Sequence, residues 1–254
     1  MPLITFTSDY GLKDHYVASV KATLLQLDIH TPIIDISHQV PSHNLAYAAH
    51  VIRNVYQQFP LGTIHILAID TTSSKDYLFL AAKINDHIFV GPNNGILSII
   101  GDNTPDEVVI LNTSKKSSFP GKECLAEAAL KLYQGFSFSV IGKPTTKFVT
   151  VKNKEVNHQN NKISGQVIHI DNYGNAITNI TKDLFDALNS TLSLSVTFKR
   201  ELLTSIHTTY NEVNEADCVA FFNNANLLEI AINQGSASQL LGLRYDDPIE
   251  ITFQ

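Results

Sequence analysis

Basic charge is scarce in this chain. Its 18 Lys and Arg residues face 24 Asp and Glu, giving a net charge of −6 and a pI of about 5.9. A surface that follows nucleic-acid phosphates needs clustered Lys and Arg. The densest basic spot, Lys115-Lys116 with Lys122, is too small for that, so no nucleic-acid partner is expected. Cysteine is equally sparse. Cys124 and Cys218 do not make a disulfide framework, and both thiols are expected reduced in the cytoplasm. No apolar run approaches the ~18 residues of a membrane span, so no membrane partner is expected. Asp9 and Lys13 interrupt the short apolar start, which therefore does not read as a signal peptide. The Gly-x-Ser-x-Gly elbow, the Walker loop and the Gly-x-Gly-x-x-Gly run are missing too. Their absence disfavours serine hydrolases, P-loop NTPases and ordinary dinucleotide enzymes. There are 10 histidines, but His38, His43 and His50 do not fit the helical His-Glu-x-x-His pattern, so no metal and no cofactor are expected.

What is present is a folding chain of 254 residues, 44% hydrophobic and 17% charged. The first half alternates strand and helix patterns. Leu3–Thr7 reads as a strand and His15–Leu27 as a helix that Asp14 can cap. Pro32–Ile36 is a strand, Asn44–Gln58 a helix and Thr63–Ile69 a strand. Leu78–Ile84 and Ile88–Val90 are two more strands, and Gly121–Tyr133 is a third helix. This rhythm predicts an α/β N-terminal domain with a mostly parallel sheet. Around Val149–Asn161 the chain turns polar. Beyond it, short strand patterns at Gln166–Ile170, Leu192–Phe198, Cys218–Phe222, Leu227–Ile232 and Ile249–Phe253 predict a C-terminal antiparallel β-barrel. The expected domains are 1–155 and 156–254.

Ligands of open α/β sheets bind beyond the carboxyl ends of the strands. Four polar clusters fall there: Thr7-Ser8-Asp9-Tyr10-Gly11; Ser37-His38 leading to Pro41-Ser42-His43-Asn44; Asp70-Thr71-Thr72-Ser73-Ser74; and Gly91-Pro92-Asn93-Asn94-Gly95. Their hydroxyl, carboxylate and amide groups suit a ribose or an amino-acid tail, and a carboxylate accepts well from vicinal hydroxyls. The same residue types also serve turns and helix caps. The second half adds Ile170-Asp171-Asn172-Tyr173-Gly174-Asn175 and Ile177-Thr178-Asn179, which read either as a subsite for an α-amino and α-carboxylate group or as a Gly-containing hairpin.

Taken in order, these clusters resemble the S-adenosylmethionine hydroxide adenosyltransferases, relatives of the fluorinases and chlorinases. The matching stretches are Ile4–Gly11 with Asp14 and Tyr16-Val17, Ile34–His38, Phe59–His65, Gly91–Leu97, Ile170–Asn175 and Leu228–Ala237. The resemblance covers nearly the whole chain. It implies an α/β domain followed by a β-barrel, and a homotrimer that holds its small nucleoside ligand between subunits. It also implies displacement of methionine from the ribose 5′ carbon by water or hydroxide, giving adenosine. In this reading S-adenosylmethionine is substrate or ligand, not a cofactor. By resemblance Asp9 holds the ribose hydroxyls and Asp171 and Asn175 the methionine end. Asn233-Gln234 meets the adenine, Asn94 belongs to the binding set, and Asp70 and Ser73 line the reaction centre.

The chain also departs from that pattern. The hydroxide-using members carry an Asp-Arg-His set. Asp70 matches its Asp, but Tyr77 stands at the Arg position and Pro120 at the His position. Gly121 stands where the fluorinase has a halide-contacting Ser. His43, whose imidazole titrates near neutrality, is a candidate replacement base. Three readings follow: a cleaving adenosyltransferase with an altered nucleophile site, a non-catalytic binding protein for S-adenosylmethionine or adenosine, and an enzyme using another nucleophile on the same fold.

Overall fold

The computed structural model describes residues 3–72, 76, 78–101, 105–112, 116–152, 155–188 and 193–253. The chain divides into two units, Met1–Lys152 and Asn153–Gln254.

The first unit is built on a seven-stranded sheet. In chain order its elements are β1 (Ile4–Ser8), α1 (Tyr16–Leu27), β2 (Ile33–Ser37), α2 (Leu45–Arg53), β3 (Ile64–Ala68), β4 (Phe79–Ile84), β5 (His87–Pro92), α3 (Ile96–Ile100), β6 (Glu107–Leu111), α4 (Ala126–Tyr133), α5 (Phe138–Ile141) and β7 (Gly142–Pro144). The strand order is β2-β1-β3-β5-β4-β6-β7. All five residues of β1 and of β3 are buried, as expected of strands covered on both faces. Side chains alternate between those faces. Ile64, Ile66 and Ala68 join Val17, Val20 and Leu24 of α1 and the apolar side of α4, while Leu67 joins Ala48, Ala49 and Ile52 of α2 and the apolar residues of α3. Burying a side chain such as Leu24 contributes about 1.5–3 kcal/mol. Helix α1 begins at Tyr16 without a side-chain cap, so Asp14 does not serve as one. Asn44 does cap α2, accepting the Tyr47 N–H.

The sheet is mixed rather than mostly parallel. β2, β1, β3 and β5 run parallel to one another, whereas the β5–β4, β4–β6 and β6–β7 pairs are antiparallel. The cause is local. Ile84 pairs with His87 across a two-residue loop in which Asn85 and Asp86 have φ of 50° and 60°. Two left-handed residues form the tight turn whose twist suits a hairpin, and a hairpin is necessarily antiparallel. The four strands that precede the polar clusters are nevertheless the parallel ones, so those clusters share one sheet edge.

The second unit is an antiparallel sheet of eight strands: β8 (Asn157–Gln159), β9 (Lys162–Ile170), β10 (Ala176–Thr181), β11 (Leu194–Phe198), β12 (Glu201–Leu203), β13 (Cys218–Phe222), β14 (Leu227–Ile232) and β15 (Pro248–Phe253), with helices α6 (Lys182–Leu188) and α7 (Ala237–Leu240). Its order is β12-β11-β15-β9-β10-β14-β13, with β8 beside β9. A bridge between His207, just beyond β12, and Phe221 of β13 brings the two ends together into a nearly closed barrel. β15 shows the reason: Ile249, Ile251 and Phe253 point into the core, while Pro248, Glu250 and Thr252 point away. Ile177-Thr178-Asn179 is part of β10 and not a ligand loop; Asn179 Oδ1 accepts the Gln166 N–H at 2.8 Å.

Candidate functional site

Asp9 leaves the end of β1 and ties two other loops to it. Its Oδ2 accepts the backbone N–H of His43, from the segment after β2, at 3.1 Å and that of Asp70, after β3, at 3.1 Å. Both tied residues hold left-handed backbone, with φ of 62° at His43 and 47° at Asp70. Such a conformation is unfavourable for a residue with a Cβ and persists only where the surroundings enforce it. Here Asp9 supplies part of that enforcement. The result places His43 Nδ1 2.7 Å from Asp70 Oδ1. Because a carboxylate only accepts, Nδ1 carries the hydrogen, and the neutral ring presents Nε2 as an acceptor. The hydrogen bond and the charge of Asp70, with Asp9 adding to them, raise the His43 pKa above its ordinary value. The His43 side chain is 69% exposed and that of Asp70 15%, so the pair has a half-buried orienting end and an open working end.

Asn94 braces the same loop from below. Its Nδ2 donates to the carbonyls of Ile69 at 2.9 Å and Asp70 at 3.4 Å, and its Oδ1 accepts the Ile96 N–H. Both ends of this amide are therefore engaged by backbone. Gly95 follows with φ of 102°, and a Cβ there would lie 2.4 Å from Val151. Ser73 and Tyr77 lie outside the described residues. Behind Asp9, the buried Ser8 Oγ sits 2.8 Å from His38 Nδ1, whose Nε2 is 3.2 Å from Asp35. The His38 carbonyl in turn accepts the N–H of Gly11. Next to Asp9, the Tyr10 ring stands edge-on to Phe119 at 5.7 Å. Burial pushes its phenol up to about 12. A Cβ on Gly121 would come within 2.3 Å of Tyr10 Oη, so this glycine makes room for the tyrosine.

The second unit carries its own cluster. Asp171 Oδ1 accepts the N–H of Tyr173 at 2.9 Å and of Asn175 at 2.8 Å, closing a tight turn, and Oδ2 accepts Asn175 Nδ2 at 3.0 Å. Gly174 sits in that turn with φ of 86°, and a Cβ would meet Ser236 Oγ at 2.0 Å. The turn before α7 is thus packed against it. In that turn Gln234 has φ of 58°, and Asn233 Nδ2 donates to the Val213 carbonyl at 2.8 Å. Three participants stand out only in three dimensions. Tyr210 Oη donates to Glu229 Oε1 at 2.7 Å and faces Asn175 Nδ2 at 3.4 Å, while Asn223 Nδ2 donates to Glu229 Oε2 at 3.0 Å. Glu229 sits in the Leu228–Ala237 stretch already noted in the sequence, whereas Tyr210 carries no local signal. Among the described residues, no group of three or more His, Cys, Asp or Glu side chains is gathered to hold a metal.

The two clusters belong to units that each match a known family model. Residues 4–142 match the SAM hydroxide adenosyltransferase N-terminal domain and residues 165–250 the SAM hydroxide adenosyltransferase C-terminal domain. The chain belongs to the SAM hydroxide adenosyltransferase family. Curated relatives include the (R)-S-adenosyl-L-methionine hydrolase of Thermus thermophilus, 27% identical over 98% of this chain and 98% of that protein. The enzyme of the same name from Methanocaldococcus jannaschii is 26% identical over 100% and 97%. A fluorinase from Actinopolyspora mzabensis is 22% identical over 99% and 97%. Among solved structures, an uncharacterized conserved protein from Thermotoga maritima aligns with a TM-score of 0.88 at 29% identity, covering 98% of this chain and 100% of that one. In this chain Pro120 opens the helical turn Gly121–Leu125 at the position where the resemblance places a His. Its ring offers no group that moves a proton. No described helix is long and apolar enough to cross a membrane.

Proposed function

We propose that this protein cleaves S-adenosylmethionine into adenosine and methionine, using water as nucleophile and His43 as the base. The observation that carries this reading is the 2.7 Å His43–Asp70 pair, oriented by Asp9. A sulfonium is already a good leaving group, so the protein has to align water with the carbon–sulfur bond and remove a proton. In the proposed step the water oxygen bonds the ribose 5′ carbon as the C5′–S bond breaks. Its electron pair stays on sulfur, and the water proton passes to His43 Nε2. Methionine leaves as a neutral thioether, and the imidazolium returns its proton to solvent.

Asp9 holds the ribose hydroxyls in this reading, alongside its two backbone bonds, and Asn94 keeps the Asp70 loop in place. Asp171 and Asn175 hold the methionine end, and Asn233-Gln234 meets the adenine through backbone. The family resemblance and the names of the hydrolase relatives support the substrate. Following the family resemblance, we further propose a homotrimer in which neighbouring subunits complete each other's site. The compartment proposed is the cytoplasm, in keeping with the free thiols of Cys124 and Cys218. A non-catalytic binding protein is the second reading, favoured by Pro120.

Reaction in water enriched in oxygen-18 tests the step. The label is expected in the 5′ hydroxyl of adenosine and absent from methionine. Unlabelled adenosine would assign the attack to another nucleophile, and intact substrate would favour the binding protein.

A further inference from the structure

Glu229 is a carboxylate that the proposed reaction leaves unused. It lies in β14, is 4% exposed, and is flanked by the fully buried Leu228 and Ile230. A charge in such a place is tolerated only when its oxygens are hydrogen-bonded. Both are: Oε1 by Tyr210 and Oε2 by Asn223. The direction of these bonds has a consequence. Tyr210 has one hydrogen, and it goes to Glu229, so the phenol oxygen is left as an acceptor. That oxygen faces Asn175 Nδ2, whose other neighbour is Asp171 Oδ2. The two hydrogens of Nδ2 thus meet two acceptors. Turning the amide over would set its oxygen against both. Asn175, itself 4% exposed, is therefore fixed with Oδ1 as the group it can offer.

We propose that Tyr210 and Glu229 are positioning residues that lock Asn175 as an acceptor for an N–H group of the bound ligand. The inference rests on the reading of Asp171 and Asn175 as ligand holders. Two parts of S-adenosylmethionine carry such hydrogens, the α-ammonium and the exocyclic amine of the base, and the chemistry Asn175 offers is the same for both.

The test is calorimetric titration of the full-length protein with S-adenosylmethionine, adenosine and inosine, for the wild type, Tyr210→Phe and Asn175→Ala. Tyr210→Phe is expected to weaken S-adenosylmethionine about tenfold, the loss of one hydrogen bond in a defined geometry. If the bound group is the ammonium, adenosine and inosine are unaffected. If it is the base amine, adenosine weakens alongside S-adenosylmethionine while inosine does not. A uniform loss for all three ligands would mean a structural role and overturn the inference. Wild-type binding of all three by Tyr210→Phe, with Asn175→Ala impaired, would overturn it and leave the subsite reading standing. Wild-type binding by Asn175→Ala would remove both. Should Tyr210→Phe fail to fold because Glu229 loses a donor, the double variant Tyr210→Phe with Glu229→Gln carries the same test without the stranded charge.

Discussion

His43 and Asp70 meet through a 2.7 Å hydrogen bond although 27 residues separate them, and both reach it in left-handed backbone. The carboxylate of Asp9 accepts the backbone N–H of each. One acidic residue thereby sets the geometry of a dyad to which its own side chain does not belong.

The dyad sets a pH dependence. Asp70 raises the His43 pKa, so the neutral ring that accepts a proton becomes the majority form only at a pH above the ordinary histidine value of about 6.5. Cleavage is expected to rise with pH through that raised value and then level off. Asp70→Asn keeps a hydrogen-bonding group but removes the charge, and should shift the profile to lower pH. His43→Ala should lower kcat by roughly 10²–10⁴ while S-adenosylmethionine still binds. A variant turning over at full rate would exclude His43 as the base.

Asp9→Ala would leave two N–H groups without their acceptor and release two left-handed residues. The expected cost is about 2–3 kcal/mol of stability, together with loss of S-adenosylmethionine binding. Thermal melting and titration of the same preparation check both.

Acid should weaken the fold through groups outside this chemistry. His65 is fully buried, its Nδ1 is 2.7 Å from Thr5 Oγ1, and its Nε2 is 3.2 Å from His87 Nδ1. Burial holds His65 down to about 3, with His87 adding to the shift, and burial lowers His87 as well. The unfolded chain takes up these protons near pH 6.5 and the folded chain does not, so their contribution is complete above about 6.5. It is lost as pH falls toward 3, by about 1.4 kcal/mol per pH unit for His65 alone. Tm should decline between pH 7 and about 4.5, and His65→Gln should flatten that decline. An unchanged slope in the variant would contradict the assignment.

Gly121→Ser should destabilise the protein, because its Cβ would come within 2.3 Å of Tyr10 Oη. Adding Tyr10→Phe removes that oxygen and should restore most of the lost Tm. The pair of melting curves decides whether the tyrosine is what keeps this position a glycine.

Much of this was legible in the residues. Apolar runs such as Ile64–Ala68 end where polar clusters begin, so the sheet edge carrying Asp9, Asp70 and Asn94 could be read from the alternation of pattern. The β4–β5 hairpin was missed because Asn85-Asp86 lacks the glycine that usually marks such a turn, although both residue types tolerate positive φ. The left-handed backbone of His43 has no sequence signature, since part of what enforces it is Asp9, 34 residues away. Tyr210 was invisible for the same kind of reason. It meets Asn175 and Glu229 only after β10, β13 and β14 have paired.

The most direct test of the central claim is incubation of the purified protein with S-adenosylmethionine in halide-free buffer, with products followed by liquid chromatography. The account predicts adenosine and methionine in equal amounts above a protein-free control, and their loss with His43→Ala. Intact S-adenosylmethionine after prolonged incubation with a protein that binds it would contradict the account.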